Sequence, residues 1–200
     1  DIRDVTIDSL PGQMSIVPQE PYLFSGSTVE ENIRYNRVDV THEKVVQAAK
    51  AVGAHEFITK LEQGYDTPLQ ERGGNLSIGQ RQLISFARAL VANPRILILD
   101  EATANIDTHS EMLIQKALKE LLRDRTAVVI AHRLSTIRGA DSIVVVDQGR
   151  VVEQGTHAQL IALDGLYARL SSFGVNGDGA DRKPSAVEGT WILTLNTPRG

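Results

Sequence analysis

Two adjacent carboxylates, Asp100 and Glu101, follow the apolar run Ile-Leu-Ile-Leu at 96–99. An apolar run of this kind is typical of a buried strand in a parallel sheet, whose ligands lie beyond the carboxyl ends of the strands. A carboxylate pair at such an end suits a Mg²⁺ ion held by one residue and a water molecule polarised by the other. The alternative interpretation is a helix-capping Asp beside a solvated Glu.

His132 ends the next apolar run, Thr-Ala-Val-Val-Ile-Ala at 126–131. A single His at a strand end is more often a hydrogen-bonded edge residue than a catalytic one. Because parallel strands end at the same edge of a sheet, however, His132 is expected to converge with Asp100 and Glu101. The three residues together favour a functional site over three separate structural roles.

An amphipathic helix is predicted to begin at Ser77, which forms a capping box with Gln80. Gly79 in its first turn costs about 1 kcal/mol relative to Ala in a helix interior. One explanation is that an anion approaches the free N–H groups of this turn, where a Cβ would obstruct it. The other is that a neighbouring helix packs closely against Gly79. The residues by themselves favour neither.

The composition describes an ordinary globular domain, with 42% hydrophobic and 23% charged residues among 200. The formal net charge is −4, so no basic field attracts nucleic acid. The chain contains no cysteine, which excludes disulfides and thiolate metal sites.

Strand and helix patterns alternate between residues 96 and 146, which predicts an α/β fold with a mainly parallel sheet and helices on both faces. Two β-branched runs around Asp147-Gln148-Gly149 predict a hairpin. After Phe173 the sequence becomes rich in Gly, Asp and Pro, which predicts a flexible tail over 174–200 around an isolated apolar run at 191–193.

Five short motifs resemble, in order and spacing, those of the ATP-binding cassette (ABC) ATPase domain. They are Val-Pro-Gln at 17–19, Leu-Ser-Ile-Gly-Gln at 76–80, Ile-Leu-Ile-Leu-Asp-Glu-Ala-Thr at 96–103, Asn-Ile-Asp at 105–107 and Ala-His-Arg-Leu-Ser-Thr-Ile at 131–137. The resemblance covers about residues 1–173. It implies a P-loop NTPase-like fold with an inserted helical subdomain at about 20–93 and the remainder of the core at about 94–173.

The segments at 18–33 and 71–77 are similar to the exporter branch of that family, in which the cassette is fused to transmembrane helices. Tyr22, Leu23 and Phe24 are either core residues or part of the groove that receives a transmembrane coupling helix, and the resemblance favours the groove. It also implies that Glu71, Arg72 and Gly73 face the membrane domain, although a solvated charged loop is the alternative.

The resemblance assigns catalytic and metal-binding roles by position. Asp100 corresponds to the magnesium-binding aspartate, and Glu101 to the catalytic carboxylate that prepares water for attack on the γ-phosphate of ATP. Gln19 corresponds to a glutamine that reaches the metal and the water. His132 corresponds to a histidine that contacts the γ-phosphate.

The resemblance also implies a second nucleotide-binding domain as partner, in a homodimer or heterodimer. Ser77, Gly79 and Gln80 correspond to the signature motif, which contacts the ATP bound by the opposing subunit. Asp107 corresponds to an aspartate at the dimer interface. ATP and Mg²⁺ are therefore the expected cofactors, held between two head-to-tail domains.

Two departures from the family pattern qualify these expectations. Ile78 stands where the commonest signature motif has Gly, a change that a helical first turn tolerates. The 200 residues also contain no G-x-x-x-x-G-K-[ST] phosphate loop, which in the family lies upstream together with the first strands of the core. We therefore expect this stretch alone to hydrolyse ATP negligibly.

The predicted function is an ATP-hydrolysing domain of an ABC exporter, at the cytoplasmic face of the cell membrane, coupled to transmembrane domains of the same polypeptide. The alternative is a truncated, non-catalytic cassette that supplies only its signature motif to a complete partner. A soluble ABC-type ATPase is a third hypothesis, which the acidic composition and the exporter-like segments disfavour.

Overall fold

The computed structural model describes residues 2–7, 9–35, 37–100, 108–130, 138–173 and 190–197. These residues belong to two compact units. The first unit comprises Asp1–Leu97 and Thr103–Arg123, and the second comprises Ile98–Ala102 and Asp124–Gly200.

The first unit is mainly helical. Its elements are a 3₁₀ turn at Ile2–Asp4, α1 (Ser9–Gln13), β1 (Met14–Val17), α2 (Val29–Arg34), α3 (His42–Ala51), α4 (His55–Ile58), 3₁₀ turns at Gly64–Asp66 and Glu71–Gly73, α5 (Ile78–Val91) and α6 (Thr108–Leu122). The helix α5 packs against α2, α3 and α6 and is therefore the centre of this unit.

Local sequence sets the starts of the two helices that matter most for the site. At α2, the Thr28 hydroxyl accepts a hydrogen bond from the Glu31 N–H at 3.1 Å, and the Glu31 carboxylate accepts one from the Thr28 N–H at 2.8 Å. At α5, Ser77 and Gln80 form the same reciprocal pair at 3.2 and 2.9 Å. The capping box predicted at Ser77 is confirmed.

The core of the first unit lies around α5. Its fully or almost fully buried side chains come from every packed helix and from the loop that follows β1, and they include Leu23, Val29, Ile33, Val45, Ala49, Ile58, Leu83, Ile84, Phe86 and Ala87. Burial of apolar surface on this scale is the main stabilising contribution to the helical packing.

The second unit is built on a sheet. It contains the end of β2 (Ile96–Asp100), then β3 (Thr126–Ile130), β4 (Ser142–Asp147), β5 (Arg150–Gly155), α7 (His157–Ala162), α8 (Leu166–Phe173) and β6 (Thr190–Asn196). The strand order within the unit is β2, β3, β6, β4, β5. Each of β3 and β4 pairs antiparallel with β6, so β3 and β4 run parallel to each other.

The predicted hairpin is confirmed as β4 and β5, which pair antiparallel. Its two-residue turn consists of Gln148 and Gly149, both with positive φ, at 46° and 78°. Positive φ at both central residues is the conformation that matches the twist of a two-stranded ribbon.

The segment expected to be a flexible tail contains β6. The strand includes the isolated apolar run, Trp191 to Leu193, and β-branched and aromatic residues favour this conformation. The composition of this segment predicted flexibility, because composition carries no information about the backbone hydrogen bonds that two neighbouring strands supply. Over the described part of the chain, no helix is both long enough and apolar enough to cross a membrane.

Candidate functional site

The first turn of α5 presents the predicted signature residues. Ser77 is the N-cap, with extended backbone and an exposed side chain, and Ile78 behind it is 43% exposed. The N–H groups of a first helical turn have no acceptor within the helix, and they carry the positive end of the helix dipole. This end of α5 therefore has the chemistry of an anion-binding surface.

Gly79 is buried against α6. A Cβ at this position would lie 3.0 Å from the Cβ of Ser110 and 3.3 Å from its Oγ. Those distances are tight for any side chain, so the approach of α6 by itself explains why a glycine stands here. The packing explanation is thus supported by a contact, whereas a close approach of phosphate to Gly79 stays a prediction.

The loop before α5 is fixed to that helix. The Arg81 guanidinium donates to the carbonyl of Leu76 at 2.7 Å and to that of Gly73 at 3.4 Å. Gly73 has φ +69°, and a Cβ there would lie 2.9 Å from the Cδ1 of Leu23. The segment around Glu71–Gly73 is therefore positioned by α5 and by the loop after β1.

Gln19 follows the end of β1 and Asp100 ends β2, as predicted. Gln19 lies two residues beyond β1, in a bend with its side chain exposed, and Asp100 is the last residue of β2 and half-buried. The predicted residues Glu101, Asp107 and His132 lie outside the described residues. Among the residues that are described, no group of three or more acidic or histidine side chains is arranged to hold a metal ion.

Arg88, near the carboxyl end of α5, joins three segments of the first unit. Its Nε donates to the carbonyl of Asn32 at 2.8 Å, and its Nη2 donates to the Asn32 Oδ1 at 3.1 Å. Its Nη1 donates to the carbonyl of Tyr22 at 2.9 Å. A single guanidinium thus connects α5, α2 and the loop after β1.

Two aromatic rings flank the same guanidinium. The central carbon of Arg88 lies 5.4 Å from the centre of the Phe24 ring and 5.3 Å from that of the Tyr35 ring. Both distances fall within the range of a cation–π interaction. Burial lowers the pKa of Arg88, with Tyr35 acting in the opposite direction, and an arginine nevertheless remains charged at neutral pH.

Asn32 completes the network and is fully buried. Its amide nitrogen donates to the carbonyls of Phe24 at 3.1 Å and Thr28 at 3.0 Å, and its oxygen accepts the Phe24 N–H at 2.8 Å. Both polar ends of this amide are thus paired, which removes the penalty for burying it. We call Asn32, Arg88, Phe24 and Tyr35, with the Tyr22 carbonyl, the Arg88 network.

Sequence reasoning missed Asn32 and Arg88 as important residues. The available indication was a polar side chain beside apolar ones in each helix, Asn32 beside Val29 and Ile33 in α2, and Arg88 between Ala87 and Ala89 in α5. The partners lie 56 positions apart, so the pattern of either helix alone could not identify the pair.

An exposed surface of aromatic, apolar and charged side chains adjoins the Arg88 network. An open cavity of about 450 Å³ is lined there by Phe24, Ser27, Glu31, Arg34, Tyr35, Arg37 and Val38. Tyr22 and Tyr35 are each more than half exposed, and Val38 is almost completely exposed. Leu23, in contrast, is fully buried and is a core residue, whereas Tyr22 and Phe24 are partly exposed. A groove that receives a coupling helix stays a prediction for these two residues.

The comparisons with known proteins show the family of the chain. Residues 1–104 match the family model described as ABC transporter, which is more than half of the chain. The chain therefore belongs to the ABC transporter ATP-binding family.

Its relatives include exporters and combined ATP-binding/permease proteins. The chain is 59% identical over 169 residues to an uncharacterized ABC transporter ATP-binding protein, YknV, of Bacillus subtilis, covering 84% of this chain and 28% of that protein. It is 47% identical over 171 residues to a fatty acid ABC transporter ATP-binding/permease protein of Mycobacterium bovis, covering 86% and 27%.

A solved structure of a bacterial Atm1-family ABC exporter with ATP bound is similar over 90% of this chain and 31% of that one. The TM-score is 0.79 and the sequence identity is 44%. The likeness confirms the predicted α/β, P-loop NTPase-like fold class and the exporter-type resemblance. The chain spans between a quarter and a third of the length of these proteins.

Proposed function

We propose that these residues form part of the nucleotide-binding domain of an ABC exporter, in which ATP hydrolysis drives transport through transmembrane domains of the same polypeptide. The observation that carries the proposal is the Arg88 network. It links α5, which begins with the signature motif, to the exposed surface beside Tyr22 and Tyr35. A domain that transmits movement between nucleotide and membrane requires such a connection.

The proposed hydrolytic site lies beyond the ends of the parallel strands. Asp100, the last residue of β2, and Gln19, two residues beyond β1, would hold Mg²⁺. Bound Mg²⁺ supplies positive charge that neutralises the developing charge on phosphate. A carboxylate and an amide oxygen are the hard ligands that this ion prefers.

Glu101 and His132 would act on the reacting atoms. Glu101 would orient and polarise the attacking water, and His132 would donate a hydrogen bond to the γ-phosphate. Each follows directly, or within two residues, the carboxyl end of a described strand, β2 for Glu101 and β3 for His132. General-base assistance by a positioned side chain typically contributes 10²–10⁴-fold to a rate.

The signature residues would serve a second nucleotide-binding domain. Ser77, Gly79 and Gln80 would contact its ATP, and Asp107 would lie at the interface between the two domains. The capped N-terminus of α5 supports this, because its free N–H groups and dipole favour a phosphate group.

This exposed surface would dock a cytoplasmic helix of the transmembrane domains. Aromatic side chains and charged ones, Arg34, Arg37 and Glu31, together line the open cavity, and this mixture suits an amphipathic helix end. The domain arrangement that we propose is a helical subdomain at about 20–93 and a core remainder at about 94–173, at the cytoplasmic face of the membrane.

The decisive experiment measures ATP hydrolysis and ATP binding by the longer polypeptide that contains these residues, reconstituted in lipid vesicles. Glu101→Gln should lower hydrolysis at least 100-fold while ATP binding is retained, because the carboxylate acts on water rather than on nucleotide. The matched control is Glu56→Gln, at an exposed position of α4, which should leave the rate unchanged.

The capped N-terminus of α5 would equally serve a second candidate, a non-catalytic cassette that supplies only its signature motif. Under that alternative, Glu101→Gln would not change the rate, whereas Ser77→Ala would lower hydrolysis by a complete partner subunit. Calorimetric titration of the 200-residue chain with Mg-ATP should show no binding up to millimolar concentration. Micromolar binding would contradict that expectation.

A further inference from the structure

The carboxylate of Glu30, on α2, contacts basic side chains from two different helices. One of its oxygens accepts a hydrogen bond from the guanidinium of Arg34, one turn further along α2. The other lies 2.5 Å from the Nδ1 of His42, the first residue of α3. The Glu30 side chain is only 14% exposed, so its charge is screened less than that of an ordinary surface acid. We call Glu30, Arg34 and His42 the Glu30 clasp.

The clasp closes the loop that joins α2 to α3. Tyr35, Arg37 and Val38 of this loop line the open cavity beside the Arg88 network, and so does Arg34. The N–H of Arg37 donates to the carbonyl of Arg34, and that of Val40 donates to the carbonyl of Arg37, both at 3.3 Å. Because these hydrogen bonds join only near neighbours, the clasp ties the far end of the loop back to α2.

A second element holds the ring of His42 in place. The Tyr65 ring, from the 3₁₀ turn at Gly64–Asp66, meets the imidazole edge to face, with the ring centres 5.5 Å apart. The Tyr65 hydroxyl in turn lies 2.9 Å from the Nδ1 of His55, at the start of α4. The imidazole of His42 is therefore positioned by contacts from α2 and from this turn.

Glu30 is the acid best placed to respond to the charge of His42. The charged side chains outside the clasp on α2, α3, α4 and the 3₁₀ turn are all exposed, so water and salt screen them. They are Glu31, Glu43, Lys44, Lys50, Glu56 and Asp66.

Protonation changes the role of His42 at the start of α3. Histidine is the side chain that gains or loses its charge between pH 5 and 8. The helix dipole opposes a cation in the first turn, and the N-cap Thr41 makes no side-chain hydrogen bond there. The Glu30 carboxylate offsets that repulsion by attracting the imidazolium at short distance. A neutral imidazole can still donate one N–H, so the contact weakens at higher pH but is not abolished.

We propose that the Glu30 clasp is proton-sensitive and holds one wall of the open cavity, with His42 as the titrating group. At pH 6 the charged imidazole holds the loop between α2 and α3 close to Glu30, and at pH 8 the neutral imidazole lets the loop move more freely. An element that docks in the cavity therefore meets a more ordered wall at the lower pH. The inference goes beyond the proposed function, because the clasp requires neither ATP nor a transmembrane partner.

The experiment measures the mobility of the loop by electron paramagnetic resonance of a spin label in the whole chain. The chain has no cysteine, so Val38→Cys provides a single attachment site, and Val38 is almost completely exposed. The rotational correlation time of the label should be at least twice as long at pH 6.0 as at pH 8.0. Equal mobility at the two pH values would overturn the proposal.

Two substitutions test whether His42, whose side chain is 54% exposed, is the titrating group. His42→Gln carries no charge, so the label should have the same mobility at both pH values. His42→Lys keeps a cation throughout this range, so its label should be as immobile at pH 8.0 as that of the histidine chain at pH 6.0. A pH effect that survives in His42→Gln would belong to another group and would contradict the proposal.

The acid is tested with Glu30→Gln, which preserves the size of the side chain and removes its charge. The loss of mobility at pH 6.0 should disappear, because the imidazolium then has no carboxylate to offset the helix dipole. The matched control is Glu43→Gln, at the exposed position next to His42, which should keep the pH effect. If Glu30→Gln fails to fold, which circular dichroism would show, the two His42 substitutions still decide the question.

Discussion

Each of the two units fixes a segment of backbone with one charged side chain, and the charges are opposite. In the first unit, the Arg88 cation donates to carbonyl and amide oxygens of Tyr22 and Asn32. In the second, the Glu153 carboxylate on β5 accepts the N–H groups of Leu166 at 2.5 Å and Tyr167 at 3.0 Å, at the start of α8.

The difference follows from which backbone groups lack partners. The loop after β1 presents carbonyl groups, which require a donor, whereas the first turn of α8 presents N–H groups, which require an acceptor. Arg88 joins elements that lie 56 positions apart in sequence, while Glu153 binds residues 13 and 14 positions away. We therefore expect substitutions at Arg88 to lower the free energy of unfolding more than substitutions at Glu153.

The largest effect is expected for Arg88→Met. Methionine is an apolar side chain of similar length, but it has none of the hydrogen-bond donors of arginine. The oxygens of Asn32 and the Tyr22 carbonyl lose their partners, so the free energy of unfolding should fall by about 3 kcal/mol. Urea unfolding measures this quantity. Arg123→Met is the control, because the Arg123–Glu120 pair lies at the surface, where the expected change is below about 1 kcal/mol.

The next largest effect is expected for Gly165→Ala. A Cβ there would overlap the Glu153 carboxylate, which must then leave the start of α8. Overpacking of this kind typically costs about 1–3 kcal/mol. Gly139→Ala in the same unit is the control, since a Cβ at Gly139 has no neighbour within 4 Å.

The contact between Gly165 and the Glu153 carboxylate can also be tested by combining two substitutions. If Gly165→Ala acts by displacing the carboxylate, the two substitutions Gly165→Ala and Glu153→Ala should be strongly non-additive in the free energy of unfolding. Simple addition of the two effects would show that Gly165 matters for another reason.

A smaller effect, about 1 kcal/mol of destabilisation, is expected for Gly79→Ala. Alanine gains about 1 kcal/mol in helix propensity, but its Cβ presses on Ser110, and the contact should outweigh the gain. Adding Ser110→Gly should restore or increase stability in thermal unfolding. If Gly79→Ala alone is stabilising, the close packing of α6 is not the reason for the glycine.

The smallest effect is expected at two Tyr–His pairs, one in each unit. The two residues of each pair are ten positions apart in sequence. The Tyr65 hydroxyl lies 2.9 Å from the Nδ1 of His55, and the Tyr167 hydroxyl lies 2.6 Å from the Nδ1 of His157. Replacing either tyrosine by Phe should cost about 1 kcal/mol at neutral pH, the typical net value of one hydrogen bond.

The same tyrosines predict a pH dependence. Burial, with a contribution from Glu30 at Tyr65, raises the pKa of each tyrosine from 10.0 to about 12. Because these pKa values are higher in the folded chain, the stabilisation is complete below pH 10 and is lost as the pH rises to about 12. Unfolding measured from pH 9 to 12 should show a shallower decline in Tyr65→Phe, and an unchanged decline would contradict this assignment.

Much of the fold was predictable from the sequence because it is encoded locally. The capping box at Ser77, the apolar strand ending at Asp100 and the turn at Gln148 and Gly149 each depend on a few neighbouring residues. The Arg88 network and the pairing of β6 depend on partners distant in sequence, which periodicity does not identify. The roles of Glu101 and His132 came from the family resemblance and stay predictions.

The position of β6 has a consequence for the order in which the molecule forms. β4 ends at Asp147, but the strand that joins it to β3 begins only at Thr190. Ribosomes add about 5–20 residues per second, so several seconds pass between the synthesis of β4 and that of β6. All elements of the first unit have been synthesised by then. Among these residues, the helical unit can therefore fold during synthesis before β6 is available to pair with β3 and β4.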